Sequence, residues 1–180
     1  MEKGKGTTEN GVVASIILLA TFLSFTGETR SLEEEWIGKT APEIAEGQWI
    51  NSAPLKLSEL RGKVVLLEFW TYGCYNCRNT LPFLKDWYRQ FPRDTFEMIG
   101  VHSPEFEREK IFRDVERETR KLGIEYPVVT DNEFSTWRSY NQRYWPVIYL
   151  IDKQGIIRYV QIGEGAYERT EKEIRMLIDE

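Results

Sequence analysis

Two cysteines and one histidine are all that 180 residues supply, and this scarcity closes off several chemistries. A disulfide-dense scaffold or a four-thiolate zinc site would need more sulfur. No site with two imidazoles can be assembled, and a Ser-His-Asp or Cys-His enzyme would have to use His102. Basic charge is also short, with 24 Lys and Arg against 29 Asp and Glu for a formal net charge of −5. That argues against nucleic acid as a partner, because phosphate binding draws on a basic surplus or stripe. The stretch richest in basic residues, Arg108 to Lys121, interleaves them with acids and reads as a solvated helix face. Seven prolines and 13 glycines are too few for a low-complexity or collagenous chain. No internal repeat recurs at a fixed period. With 41% hydrophobic and 13% aromatic residues, the length suits one globular domain.

The long uncharged apolar run is Val12 to Phe25 (VVASIILLATFLSF), preceded by a polar segment containing Lys3 and Lys5. Its 14 residues fall between the core of an export signal and the ~17 to 25 residues of a spanning helix. Small residues at Ser24, Thr26 and Gly27 permit cleavage without forming a clean Ala-x-Ala site. Residues 1–31 are therefore expected to be a cleaved signal peptide or a retained membrane anchor. Either places residues 32–180 outside the cytoplasm, periplasmic or otherwise extracytoplasmic, with Lys3 and Lys5 inside. A buried N-terminal core helix is the competing reading.

From Leu32 onward strand-like and helix-like stretches alternate. A polar approach ends in Leu55, Leu57 and Leu60, with Ser58 placed as a helix N-cap. Val64 to Trp70 (VVLLEFW) is a continuous apolar run suited to a central strand covered on both faces. A helix follows from TYGCYNC through Leu81, Leu84, Trp87 and Tyr88. Phe96 to Val101 reads as a second strand, His102-Ser103-Pro104 as a turn, and Glu105 to Leu122 as a long charged helix ended by Gly123. Tyr126 to Thr130 is a third strand, and Glu133 to Tyr144 a helix. Val147 to Ile151 and Ile156 to Gln161 flank Asp152-Lys153-Gln154-Gly155, a hairpin signal. A helix from Tyr167 to Ile178 closes the chain. This order predicts an α/β fold with a mixed sheet.

Chemistry concentrates in Cys74-Tyr75-Asn76-Cys77. A CxxC at a strand-to-helix junction sets its first sulfur against unpaired backbone N–H groups at the positive end of the helix dipole, which favours thiolate. One turn along, the second sulfur can reach back. The spacing supports thiol–disulfide exchange, with Cys74 attacking and Cys77 resolving. A static disulfide is the alternative, although so short a loop restricts the unfolded chain little. Zinc would need two further ligands, of which His102 could be only one.

Several motifs, in order, resemble a known family. Leu66 to Pro82 (LLEFWTYGCYNCRNTLP) is similar to the active-site strand and helix of thioredoxins, and most closely of TlpA- and DipZ-like extracytoplasmic thiol-disulfide oxidoreductases. LSELRGKVVLLEFW, VHSPEFE at 101–107, YWPVIYLIDKQG at 144–155 and GEGAYERTE at 163–171 extend the resemblance from about Trp36 to the C-terminus. It implies a thioredoxin fold over 32–180, a mixed central sheet flanked by helices, with an N-terminal extension and an insertion after the second strand. Glu68 falls where the family keeps a buried acid that exchanges protons with the resolving cysteine, here Glu rather than Asp. A carboxyl in an apolar strand has a raised pKa, whereas one at a sheet edge would merely reach solvent. Pro82 matches the helix-kinking proline. Pro146 matches the cis-proline opposite the dithiol, which exposes the preceding backbone to an extended substrate. Trp145 stands where Thr or Val is usual. Trp145, Tyr72 and Tyr75 either rim a substrate groove or pack internally. Asn76 and Tyr75 add no positive charge beside Cys74. His102 is either a helper to the dithiol or a turn histidine with satisfied hydrogen bonds, and Gly163-Glu164-Gly165 either flank the site or simply form a turn.

The expected function is thiol–disulfide exchange on protein or peptide disulfides. No metal or organic cofactor is expected, the Cys74–Cys77 pair itself storing the electrons. A reductant so placed would need a membrane electron-transfer partner. The alternatives are a noncatalytic binding module or copper carrier using Cys74, Cys77 and His102, and a thiol peroxidase. Tyr72-Gly73 does not match the Pro-x-x-x-Thr lead that peroxidases set before their reactive cysteine.

Overall fold

The computed structural model describes Met1 and residues 32–180. The expected signal or anchor, at residues 1–31, lies outside the described residues but for Met1. Among the described residues no helix is long and apolar enough to cross a membrane.

In chain order the elements are α1 (Leu32–Trp36), β1 (Trp49–Ile50), β2 (Val64–Trp70), α2 (Tyr75–Gln90), β3 (Phe96–His102), α3 (Phe112–Lys121), β4 (Val128–Thr130), α4 (Ser135–Ser139), β5 (Val147–Ile151), β6 (Ile157–Ile162) and α5 (Tyr167–Asp179). The strands form one sheet in the order β1-β4-β3-β2-β5-β6. β2, β3 and β4 run parallel, while β1, β5 and β6 pair antiparallel with their neighbours.

Every residue of β2 is buried, which its continuous apolar run requires of a strand covered on both faces. Alternation then sorts its side chains. Val64, Leu66 and Trp70 pack with Leu81, Leu84 and Trp87 of α2 and with Ile174 and Leu177 of α5. Val65, Leu67 and Phe69 pack on the opposite side with Trp36, Leu57, Leu60, Tyr140 and Tyr149. Burying a side chain of this size contributes ~1.5 to 3 kcal/mol, so the two layers fix β2 firmly at the centre. Its C-terminal end consequently delivers Thr71 to Cys74 to a defined place. The mixed sheet and terminal antiparallel pair agree with the sequence reading.

Four local expectations are corrected. Ser58 caps nothing with its side chain: the 3₁₀ turn Leu57–Leu60 has no side-chain cap at its start, and Glu43 instead accepts the backbone N–H groups of Leu57 at 2.9 Å and Ser58 at 2.7 Å. The helix expected over 105–122 is a 3₁₀ turn, Glu107–Lys110, an extended break at Ile111, and then α3. Its charge pattern suits solvent, but Glu109 within it is fully buried and pins the segment to the end of β2. The helix expected over 133–144 shrinks to α4, because Phe134 and Asn141 on either side adopt left-handed backbone, φ 55° and 46°. His102 ends β3, paired with Trp70 and Thr130, rather than lying in a turn.

Candidate active site

The junction of β2 and α2 holds the two cysteines. Cys74 is the N-cap of α2, with extended backbone, and its Sγ accepts the N–H of Cys77 at 3.1 Å. Its own N–H donates to the carbonyl of Thr71 at 3.2 Å, closing a tight turn. Cys74 and Cys77 are joined as a disulfide, with Cα atoms 5.3 Å apart. Cys77 is wholly buried in the α2 core layer, whereas Cys74 is half-buried. Geometry therefore separates the two sulfurs into one that an incoming group can meet and one that only its neighbour can reach. The helix terminus places partial positive charge at the more accessible one.

Glu68 is fully buried, on the β2 face shared with Leu66 and Trp70. The edge-facing alternative is thereby excluded. Burial pushes its carboxyl up to about 8, against a smaller opposing effect of the Tyr126 hydroxyl, which donates to Oε2 at 3.2 Å. Oε1 has no hydrogen-bond partner among the described residues. Gly100 pairs with Glu68 across β3, and a Cβ there would meet Trp70 Nε1 at 2.8 Å and the Tyr126 ring at 3.2 Å. The glycine makes room for the two rings beside the acid. A carboxyl that titrates near neutrality in the layer containing Cys77 can take up the proton that a resolving thiol must lose.

A second buried carboxyl lies behind the turn. Glu109 Oε2 accepts the Thr71 hydroxyl at 2.7 Å and the N–H groups of Glu105 at 2.8 Å and Phe106 at 3.3 Å. Thr71 Oγ1 also lies 3.2 Å from His102 Nε2. The same Nε2 accepts the backbone N–H of Tyr72 at 3.4 Å, which ties the imidazole to the turn. Burial lowers the His102 pKa to about 3, so the imidazole is neutral. Its ring packs edge-on to Trp70 and stacks on Tyr72. Its Nδ1 finds no partner among the described residues, so the expected fully satisfied turn histidine is not what the fold contains.

The Trp145–Pro146 bond is cis. Because Val147 pairs with Phe69, Pro146 lies at the end of the sheet from which Thr71 to Cys74 emerge. Trp145 is half-buried, donates through Nε1 to the Ser103 carbonyl at 3.1 Å, and packs on Trp137 with ring centroids 4.3 Å apart. Tyr72 is half-buried and donates to the Arg108 carbonyl at 3.3 Å. Tyr75 is 75% exposed. Two of the three aromatics are thus anchored by their polar ends, and one stands free. Glu164 accepts from Asn79 of α2 at 2.8 Å, which sets the 163–165 loop against the dithiol helix. Among the described residues no three His, Cys, Asp or Glu side chains group as metal ligands.

Residues 37–160, which take in both cysteines and all of the sheet but the end of β6, match the AhpC/TSA family. The chain belongs to that family. Among AhpC/TSA-type relatives, Protein DipZ of Mycobacterium tuberculosis is 41% identical over 145 residues, covering 78% of this chain and 21% of DipZ. The chain thus spans about a fifth or less of the length of the first such relatives. The thiol-disulfide oxidoreductase ResA of Geobacillus kaustophilus is 26% identical over 167 residues, covering 91% of this chain and 92% of ResA. Among solved structures, the thioredoxin-like superfamily protein SPOA0173 superposes with a TM-score of 0.73 at 29% identity, over 78% of this chain and 97% of that one. A thiol-disulfide isomerase from Corynebacterium glutamicum gives 0.70 at 29% identity, with the same coverages. The fold is thioredoxin-like.

Within this AhpC/TSA domain, sequence reasoning missed Tyr126, Thr71, Gly73 and Glu109. No local signal pairs Tyr126 with an acid 58 residues away. Glu109 is masked by the charges around it, since an acid in a charged segment reads as solvated.

Proposed function

We propose that the domain is a thiol–disulfide oxidoreductase acting on protein or peptide disulfides. The observation that carries this reading is the Cys74–Cys77 disulfide at the start of α2, one sulfur half-exposed and the other buried in the same core layer as Glu68. In the reducing direction, the Cys74 thiolate attacks one sulfur of a substrate disulfide, forming a mixed disulfide and releasing the other sulfur as thiolate. Cys77 loses its proton toward Glu68 and attacks Cys74 Sγ. That breaks the mixed disulfide, releases the second substrate sulfur, and restores the Cys74–Cys77 bond with two electrons passed to substrate. The oxidising direction is the reverse. The pair is its own electron store, so the cycle needs no metal or organic cofactor.

Pro146 and Trp145, at the same end of the sheet, and the free-standing Tyr75 are assigned to substrate contact, with Tyr72 supporting the turn. The apolar run at 12–25, preceded by Lys3 and Lys5, supports an exported, extracytoplasmic domain held by a membrane anchor or released by cleavage. A membrane electron-transfer partner would re-reduce it. Reduction of insulin disulfides by the domain, and a glutathione titration of the Cys74–Cys77 couple between ~−270 mV for a reductant and ~−120 mV for an oxidant, test both activity and direction. Consumption of peroxide without disulfide exchange would replace this reading with the peroxidase.

A further inference from the structure

The exchange cycle leaves one buried charged side chain at the dithiol unused. Glu109 has no solvent exposure in a segment whose neighbours Glu105 to Arg108 are all exposed. Three donors converge on its Oε2, from Thr71, Glu105 and Phe106. Its Oε1 has no partner among the described residues and occupies the space where a Cβ of residue 73 would stand. Gly73 is not among the residues with positive φ, so backbone conformation does not demand glycine there. The carboxylate does, by filling the side-chain position of the residue next to Cys74. Packing that volume with an apolar side chain would avoid the heavy cost of burying a carboxylate. The acid therefore calls for an electrostatic explanation.

We propose that Glu109 is a positioning residue for Cys74: through Thr71 and Gly73 it braces the turn that presents the sulfur, and its negative charge offsets the positive end of α2. The dithiol is thereby made more reducing than the helix terminus alone would make it. This rests on the exchange reading above. A carboxylate behind the turn disfavours a second negative charge on Cys74, whereas the aligned N–H groups of α2 favour it. Destabilising the thiolate destabilises the reduced form, which moves the couple toward reductant. The other charged or titratable groups around the turn do not replace it. His102, from β3, is neutral. Arg78 of α2, donating to the Tyr72 carbonyl at 3.0 Å, is exposed and screened by solvent. Arg108, Asp114 and Glu118 face the partly exposed Tyr72. Glu68 belongs to the layer containing Cys77.

The test is the pH profile of Cys74 alkylation by iodoacetamide in the reduced full-length protein, resolved by mass spectrometry from roughly pH 4 to pH 10. Glu109→Gln keeps the shape and an acceptor for the three donors but removes the charge. Its profile is expected to move about one unit downward, with alkylation about tenfold faster below both midpoints, and its glutathione-measured potential to become more oxidising. A folded variant whose midpoint stays put or rises overturns the proposal. Should Glu109→Gln fail to fold, Gly73→Ala retains the acid but drives it off the turn, and a downward shift is again expected; an unmoved profile there overturns the proposal equally. Thr71→Ser, which preserves the hydroxyl, should keep the parental profile, and a shifted one counts against the proposed bracing. The readout is independent of turnover. A parent inert toward insulin whose Glu109→Gln profile still shifts would sink the exchange reading while supporting Glu109, and an active parent with no shift would do the opposite.

Discussion

The Tyr126 hydroxyl donates a 3.2 Å hydrogen bond to Glu68, joining β2 to the segment leading into β4 beneath the dithiol helix. Both side chains are wholly buried. Burial raises the carboxyl far more than the phenol's donation lowers it, and the same burial, with the acid beside it, pushes the phenol well above its usual value. Near neutral pH the pair is therefore mostly an uncharged acid against an uncharged phenol, with the acid close enough to its midpoint to exchange a proton.

Glu68 titrates at about 8 in the folded protein against an ordinary 4.5. Between those values the folded state keeps a proton that the unfolded chain has lost, so stability falls as pH rises through the window. At ~1.4 kcal/mol per unit the full effect is a few kcal/mol. Urea midpoints of the oxidised protein should drop more steeply with pH than those of Glu68→Gln, measured at about pH 5, 6.5 and 8. Parallel curves would remove Glu68 from the titrating core.

The unequal exposure of the two sulfurs predicts unequal trapping. Cys77→Ser should accumulate a mixed disulfide on Cys74 with a peptide substrate, and Cys74→Ser should accumulate little, as read by non-reducing mass spectrometry. Comparable adducts in both variants would reverse the assignment. In an otherwise native dithiol, Glu68→Gln should slow resolution near neutrality while the first attack changes less, in stopped-flow traces of the two phases.

His102 is the sole histidine and its pKa is lowered to about 3 by burial, against an ordinary 6.5. Its ring resonances should stay constant from about pH 8 down to about pH 4 in NMR spectra of the folded protein. Below pH ~6.5 the unfolded chain gains a proton that the folded state refuses, so this residue contributes a loss of stability as pH falls. A ring titration with a midpoint near 6.5 would show the imidazole to be solvated.

Gly100→Ala should destabilise the domain by about 1 to 3 kcal/mol in chemical denaturation, because its Cβ meets the Trp70 and Tyr126 rings in a packed layer with little freedom to shift. Displacing Tyr126 also removes the hydroxyl from Glu68, so the Glu68 midpoint should rise. A neutral substitution would mean that this layer is loosely packed.

Local pattern determined much of this protein. The unbroken VVLLEFW run could only be a strand buried on both faces, CxxC at its end could only start a helix with one sulfur at the terminus, and Asp152 to Gly155 closes the expected hairpin, with Gly155 at φ 83°. These features depend on residues a few positions apart, whose spacing the sequence displays directly. Tertiary structure alone decided that Glu68 meets Tyr126, that His102 is enclosed by Trp70 and Tyr72, and that Glu109 leaves the charged surface for the space beside Gly73. Each joins residues 30 or more positions apart through the sheet order β4-β3-β2, which sets the ends of three parallel strands side by side. Charge periodicity reports which face of a segment meets water. It carries no information about an acid that turns inward because another segment supplies the Thr71 hydroxyl and a missing Cβ, beside two N–H groups of its own segment.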